Sequence, residues 1–167
     1  MPALPKFTAI AACDPQGVIG NQGMLPWHCP EELQHFRHTT LHHVMLMGYK
    51  TYLSMPPRAF EYRTSIVFST KHAVDPDRAK QVKGLDDLAQ LYSENKDLLT
   101  KTQFVIGGAE IFELFFTQQL IEDAIISHMH QTCAGDTFCP LSHLTHWPQE
   151  ILQQKPAYSV IRYSKKG

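Results

Sequence analysis

Short apolar runs, each closed by a glycine or hydroxyl turn and followed by a helical segment, constrain this chain most strongly. Val44–Met47 ends at Gly48, and Tyr49–Met55 then reads as one short helix stopped by Pro56-Pro57. Phe104-Val105-Ile106 ends at Gly107-Gly108, and Ala109–Phe116 is apolar at 111, 112, 115 and 116, the spacing of one helix face. Ile66-Val67-Phe68 runs into Ser69-Thr70-Lys71, and helical spacing returns over Leu85–Tyr92. Phe7–Cys13 and Ala124–Met129 read as further buried strands, and Asp14–Gly17 as a turn. Pro30 suits the first position of a helix running through residues 31–39, with Leu33 and Phe36 on one face. Glu150–Leu152 and Tyr158–Tyr163 resemble a terminal antiparallel hairpin. Strands alternating with short helices imply right-handed crossovers and an α/β fold around a central, largely parallel sheet. The antiparallel edge makes that sheet mixed. Ligands in such sheets sit beyond the carboxyl ends of the strands, so the loops after Cys13, Met47, Ser69 and Ile106 carry the interest.

The 167 residues are expected to form one domain, 1–167, large enough to fold without a disulfide or metal staple. With 43% hydrophobic and 19% charged residues the chain is neither disordered nor collagen-like. A net charge of −1 gives no general grip on nucleic acid or an anionic membrane. The start, MPALPKFTAI, lacks the pattern of a secretory signal, and no run approaches the ~20 apolar residues of a membrane span. Cys13, Cys29, Cys133 and Cys139 form no CxxC pair, so reduced thiols in a cytoplasmic protein are expected.

Three turns offer chemistry. Gly107-Gly108 reads either as a tight strand-to-helix turn or as a place where backbone N–H groups and a helix N-terminus approach a phosphate. Gly48 to Thr51 repeats the arrangement, with Lys50 and Thr51 supplying a cation and a hydroxyl. Ser69-Thr70-Lys71 adds two hydroxyls and another cation. Together they would cradle a dinucleotide, with Lys50 or Lys71 near an extra phosphate. Glu31 and Glu32 fall in a first helical turn, where carboxylates favour the helix dipole. That explains Glu31. Glu32 lies beside Leu33 and four residues before Phe36, at the edge of the apolar face, and reads equally as a helix-start carboxylate or as an acid in an apolar pocket. There, burial would raise its pKa while the helix terminus lowers it. Leu25-Pro26-Trp27 precedes the helix, with Gly20 and Gly23 giving a lid its freedom. His35, His38 and His42 are spaced i, i+3, i+7, and His128 and His130 share a strand face. Without HExxH or paired CxxC they read as a solvated face rather than a zinc site, and Cys13 and Cys29 as small buried hydrophobes.

In this order the segments resemble dihydrofolate reductase. The resemblance rests on Ile10–Leu41, MGYKT (Met47–Thr51), VFST (Val67–Thr70), FVIGGAEIF (Phe104–Phe112) and GDTFCP (Gly135–Pro140). It covers nearly the whole chain and implies a central eight-stranded mixed, mostly parallel sheet flanked by about four helices. It implies NADPH as cofactor and dihydrofolate as substrate, with hydride passing to C6 and a proton to N5. By the resemblance, Glu32 holds the pterin and favours N5 protonation through ordered water, Trp27 positions that water, and Leu25 belongs to the same segment. Ile10, Ala12, Leu33, Phe36, Met55 and Ile106 match the substrate pocket, and Ser127 replaces the usual threonine beside the acid. Ala12, Ile19, Gly48, Lys50, Thr51, Ser69, Thr70, Lys71, Gly107, Gly108, Ala109, Glu110, Ile111 and Phe112 match the cofactor side, with Phe112 in place of a common tyrosine. The family's Gly-Gly bond is cis. Where the family has L-P-x-R, this chain has Ala59-Phe60-Glu61-Tyr62-Arg63. Arg63 takes the role of gripping the substrate carboxylate, Phe60 that of the pocket leucine, and Arg58 is the fallback. Tyr49 and Glu110 stand where some relatives place arginines near the adenosine 2′-phosphate.

Dihydrofolate reduction competes with reduction of another dihydropterin lacking the glutamate tail. It also competes with a riboflavin-pathway reductase and a non-catalytic binding module. The Glu32 helix and Trp27 argue against the riboflavin type, and retention of carboxylate, phosphate turns and lid against the module. A monomer without a metal is expected.

Overall fold

The apolar runs become strands of one sheet in the computed structural model, which describes residues 4–21 and 25–165. In chain order the strands are β1 (Phe7–Cys13), β2 (Val18–Gly20), β3 (Val44–Gly48), β4 (Thr64–Phe68), β5 (Lys80–Val82), β6 (Gln103–Gly107), β7 (Ile121–Met129), β8 (Thr137–Phe138), β9 (Gln149–Gln154) and β10 (Tyr158–Ser164). The helices are α1 (Pro30–Thr40), α2 (Tyr49–Ser54), α3 (Leu85–Glu94) and α4 (Ala109–Thr117). Eight strands form the main sheet in the order β5-β4-β3-β6-β1-β7-β10-β9. It is parallel from β5 to β7, and β10 and β9 run antiparallel at the other edge. β2 and β8 form a separate antiparallel pair.

Two strands were not legible in the sequence. β5 contributes a single buried side chain, Val82, to an edge, so it carries no apolar run. β8 is two residues long and is held by its pairing with β2 rather than by any pattern of its own.

Alternation along the strands divides the core. On one face Ala9, Leu46, Ile66, Val105 and Ile126 pack with Leu88 and Tyr92 of α3 and Phe112, Phe115 and Phe116 of α4. On the other face the apolar surface forms two clusters. Met45, Met47 and Val67 pack with Phe60 and with Phe36 of α1. Met129, Tyr158 and Val160 pack with Trp27 and Ile125. β1 lies between the strands that build these clusters, and its Ile10 and Ala12 alternate onto this face. The geometry thus leaves a central strip of sheet between two apolar blocks, with α1 carrying Phe36 of the first block and following Cys29 of the second. Among the described residues no helix is long and apolar enough to cross a membrane.

Candidate active site

Pro30 opens α1, and its first turn brings Glu31 and Glu32 side by side. Their fates differ. Glu31 faces solvent and meets Lys155 at 3.7 Å. Glu32 is 9% exposed, and its Oε2 is buried without a hydrogen-bond partner. Burial pushes its carboxyl up to about 7 from 4.5. Of the two opposing effects at this position, desolvation outweighs the helix terminus. Tyr158 senses the same environment: burial first, then the neighbouring Glu31, Cys29 and Glu32, raise its hydroxyl above the ordinary tyrosine value. A carboxyl poised near neutrality, with a free buried oxygen, can accept N–H donors from a ligand and can hold or release a proton.

The expected pocket residues assemble unevenly. Phe36, Met55, Phe60 and Ile106 join one cluster, with the Phe60 ring 5.5 Å from that of Tyr52. Ile10 is buried on the central strip beside Ala12, which pairs with Ser127 of β7. Ser127 is itself buried. Trp27 packs in the second cluster, beside Cys29 and Ile125. Leu33 is 41% exposed and stands at the solvent side of α1. Leu25 is also exposed, next to residues 22–24. Gly23 lies outside the described residues, and Gly20 is paired with Thr137 in the small ladder.

Arg63 is held at the C-terminal end of α1. Its Nε donates to Thr40 Oγ1 at 3.0 Å, one terminal nitrogen to the Arg37 carbonyl at 2.6 Å, and the other to the Glu61 carbonyl at 2.8 Å. Burial, then the neighbouring Arg37, lowers its pKa. A guanidinium carries five N–H donors, so two remain for an anion. Arg58 is exposed in a 3-10 turn, Pro57–Phe60, whose Phe60 is buried.

β3 and β6 are neighbours, so the turns beyond them meet. A Cβ on Gly48 would lie 3.2 Å from Ile111 Cγ1, and one on Gly107, whose φ is +121°, would lie 3.2 Å from the Phe112 ring. The Gly107–Gly108 bond is cis. Thr51 Oγ1 lies 3.8 Å from the Cβ position of Gly108. At Gly48 and Gly107 a side chain would therefore press on α4. α4 starts here, and the amides of Ala109, Glu110 and Ile111 have no acceptor within the helix. Lys50, Thr70, Lys71 and Glu110 are exposed around the rim.

Three expectations change. The Ser69 hydroxyl is spent on its own turn, donating to the His72 carbonyl at 2.6 Å and accepting the His72 amide at 3.3 Å, so it shapes the loop rather than standing free for phosphate. Phe112 and Ile19 pack into the core on the opposite side of the sheet, with Phe112 1% exposed, and support the cofactor side from beneath. The histidines divide: His38, His42 and His130 are exposed as read, whereas His35 and His128 are half-buried. His128 reaches Tyr163 Oη at 2.9 Å, and His130, just past β7, reaches the Pro156 carbonyl at 3.0 Å and Ser159 Oγ at 2.9 Å. The four cysteines are free, with Cys13 buried as expected and Cys29 only half-buried.

A buried acid over the central strip, an anchored arginine at one end and two glycine turns at the strand ends agree with comparison to known proteins. The sequence profile of the dihydrofolate reductase family matches residues 6–162. The chain belongs to the dihydrofolate reductase family. It is 32% identical over 162 residues to the dihydrofolate reductase of Mycoplasma genitalium, covering 95% of this chain and 97% of that one. It is 30% identical over 164 residues to that of Neisseria meningitidis serogroup A, covering 95% and 97%. The solved dihydrofolate reductase from Enterococcus faecalis, complexed with NADP(H) and RAB-propyl, shares the fold with a TM-score of 0.72 at 24% identity over 97% of each chain.

Some features of this family member were invisible to sequence reading. Asp14, read as part of a turn, is fully buried; its Oδ1 accepts the amides of Gln16 and Val18 at 2.9 and 2.8 Å, and its Oδ2 that of Cys133 at 2.9 Å. It ties the turn after β1 to the loop after β7. Tyr49 and His72 stack at 4.9 Å, joining the turns after β3 and β4. His35, one helical turn beyond Glu32, buries its Nε2. Of these, only the i, i+3 spacing of Glu32 and His35 was available as a signal.

Proposed function

We propose that this protein reduces 7,8-dihydrofolate to 5,6,7,8-tetrahydrofolate with NADPH. A hydride passes to C6, and one proton from water is taken up at N5. The observation that carries the reading is Glu32: a buried carboxyl near neutrality, one oxygen free, beside the apolar cluster of Phe36, Met55, Phe60 and Ile106. NADPH supplies the hydride when bound. The turns at Gly48 and Gly107-Gly108 fit such a group, because the first amides of α4 have no acceptor within the helix and the Thr51 hydroxyl lies beside Gly108. Thr51, the first amides of α4, Lys50, Thr70 and Lys71 would hold it.

Glu32 accepts the amino and ring N–H groups of the pterin, fixing its orientation. Its carboxyl favours the N5-protonated substrate, which makes the C=N bond electrophilic before hydride arrives. Trp27, Ile10 and Ala12 exclude bulk water from the reacting edge, and Leu25 belongs to the lid segment that closes it. Leu33 covers the aminobenzoyl portion when ligand fills the solvent side of α1, and Ser127 supports the acid. Arg63, held by the Thr40 hydroxyl and the Arg37 and Glu61 carbonyls, uses its remaining donors on the substrate carboxylate. The protein acts as a single-domain monomer on small molecules in the cytoplasm.

The test mixes purified protein with NADPH and dihydrofolate and follows the loss of NADPH absorbance, with NADH and a tail-less dihydropterin in parallel. Rapid consumption with NADPH and dihydrofolate is expected. Turnover of the tail-less compound alone would overturn the substrate assignment. Glu32→Gln should keep NADPH binding and lose ~10²–10⁴-fold in turnover at neutral pH, less at low pH where the substrate is already protonated.

A further inference from the structure

Among the described residues, three buried side-chain polar atoms have no hydrogen-bond partner: Glu32 Oε2, His35 Nε2 and Ser65 Oγ. Ser65 lies on β4, three strands from β1. The other two belong to α1 and are three residues apart. At that spacing side chains share a helix face, with Cβ atoms ~5–6 Å apart. Two buried polar atoms on one face, without partners of their own, are complementary: a neutral imidazole has one N–H to give, and a carboxylate only accepts. They make no direct hydrogen bond, and across such a gap one water satisfies both.

We infer that His35 is a positioning residue for Glu32: its Nε2–H reaches the free carboxylate oxygen through a single water, orients the carboxyl toward the pterin and stabilises its ionised form. The inference rests on the reading of Glu32 as the pterin-binding acid. Burial, then the neighbouring His38, lowers the pKa of His35, which favours the neutral imidazole. The other titratable groups around the pair are few. Glu31 on the same helix faces solvent and Lys155. Tyr158 of β10 and Cys29, just before α1, share the electrostatic environment of Glu32. Arg37 and Arg63 lie at the opposite end of α1, Arg63 bound to the Arg37 carbonyl. His35 is therefore the neighbour on this face able to donate to Glu32 without bringing a charge.

The experiment labels the glutamate Cδ carbons of the full chain with ¹³C, assigns Glu32 by its loss in Glu32→Gln, and titrates it by NMR in the substrate-free protein. In His35→Phe the Glu32 midpoint should rise by about 0.5–1 pH unit, a roughly 3- to 10-fold change in its dissociation constant. In His35→Gln, which keeps an N–H at similar reach, the midpoint should stay near the wild-type value. The pH profile of turnover should move with the NMR midpoint. Equal midpoints in wild type and His35→Phe, or an equal rise in both variants, would overturn the link and leave His35 a packing residue. If circular dichroism shows His35→Phe unfolded, His35→Leu is judged by the same criterion. The NMR midpoint needs no turnover, so absent dihydrofolate reduction alongside the expected shift would sink the reductase reading alone.

Discussion

Replacing Glu32 by glutamine should stabilise the substrate-free protein increasingly as pH rises. The carboxyl sits at about 7 in the folded chain against 4.5 ordinarily. A raised carboxyl pKa means the folded state binds the proton more tightly. Its contribution is therefore fully present below pH 4.5, declines as pH rises toward 7, and is lost above that. At ~1.4 kcal/mol per pH unit the change is worth about 3 kcal/mol. Glutamine has nearly the same shape and no proton to lose, so it removes this dependence. Its own amide also lacks buried partners, which adds a constant cost of about 1–3 kcal/mol at every pH. The readout is thus the change in the stability difference between variant and wild type, not its absolute value. Urea unfolding followed by circular dichroism from pH 4.5 to 8 should show the difference moving toward the variant by up to about 3 kcal/mol. In a domain of this size that is roughly 6–12 °C in Tm. Other titrating groups are common to both proteins and cancel. Parallel profiles would mean that Glu32 titrates normally, and the argument from burial would fail. The same substitution should abolish most turnover, so the acid would be held at the expense of stability for its chemistry.

Arg63→Ala should raise KM for dihydrofolate about tenfold, ~1.4 kcal/mol, and leave a tail-less dihydropterin unaffected, whereas Arg58→Ala should change neither; the reverse result in steady-state assays would move the carboxylate contact to Arg58. Asp14→Asn should cost about 1–3 kcal/mol in urea unfolding at pH 7, because an amide nitrogen would face the Cys133 N–H. Although burial raises the Asp14 pKa, donation from Cys133, Val18, Gln16 and Gly17 outweighs it and holds the carboxyl below its usual value. Its contribution is thus present above pH 3.8 and lost as pH falls through the lowered pKa, so Asp14→Asn should flatten the acid limb of the stability profile. Gly107→Ala should cost about 1–3 kcal/mol through its φ of +121° and press on Phe112; NADPH affinity by fluorescence titration should fall, and unchanged binding would remove this turn from the cofactor site.

The central parallel strands were legible because buried parallel strands are continuous apolar runs, and the helices because Phe112, Phe115 and Phe116, or Leu88 and Tyr92, recur at helical spacing. Those periodicities, with the glycines that close β3 and β6, determine an α/β sheet and the end of it where ligand binds. Residue type and position also marked Glu32 as an acid at the edge of an apolar helix face. Only the tertiary structure decided whether that acid is solvated like Glu31 or buried, since burial depends on which strands α1 covers. The same holds for Arg63, whose donors are directed by the Thr40 hydroxyl and the Arg37 carbonyl of α1, 23 and 26 residues away. It holds for Ser69, whose hydroxyl bends back to its own turn. Asp14 meets an amide 119 residues distant, and Glu32 Oε2 and His35 Nε2 are both buried without partners. Hydrophobic pattern is a local property and is written along the chain. Desolvation and hydrogen-bond partnership belong to whatever the fold brings alongside.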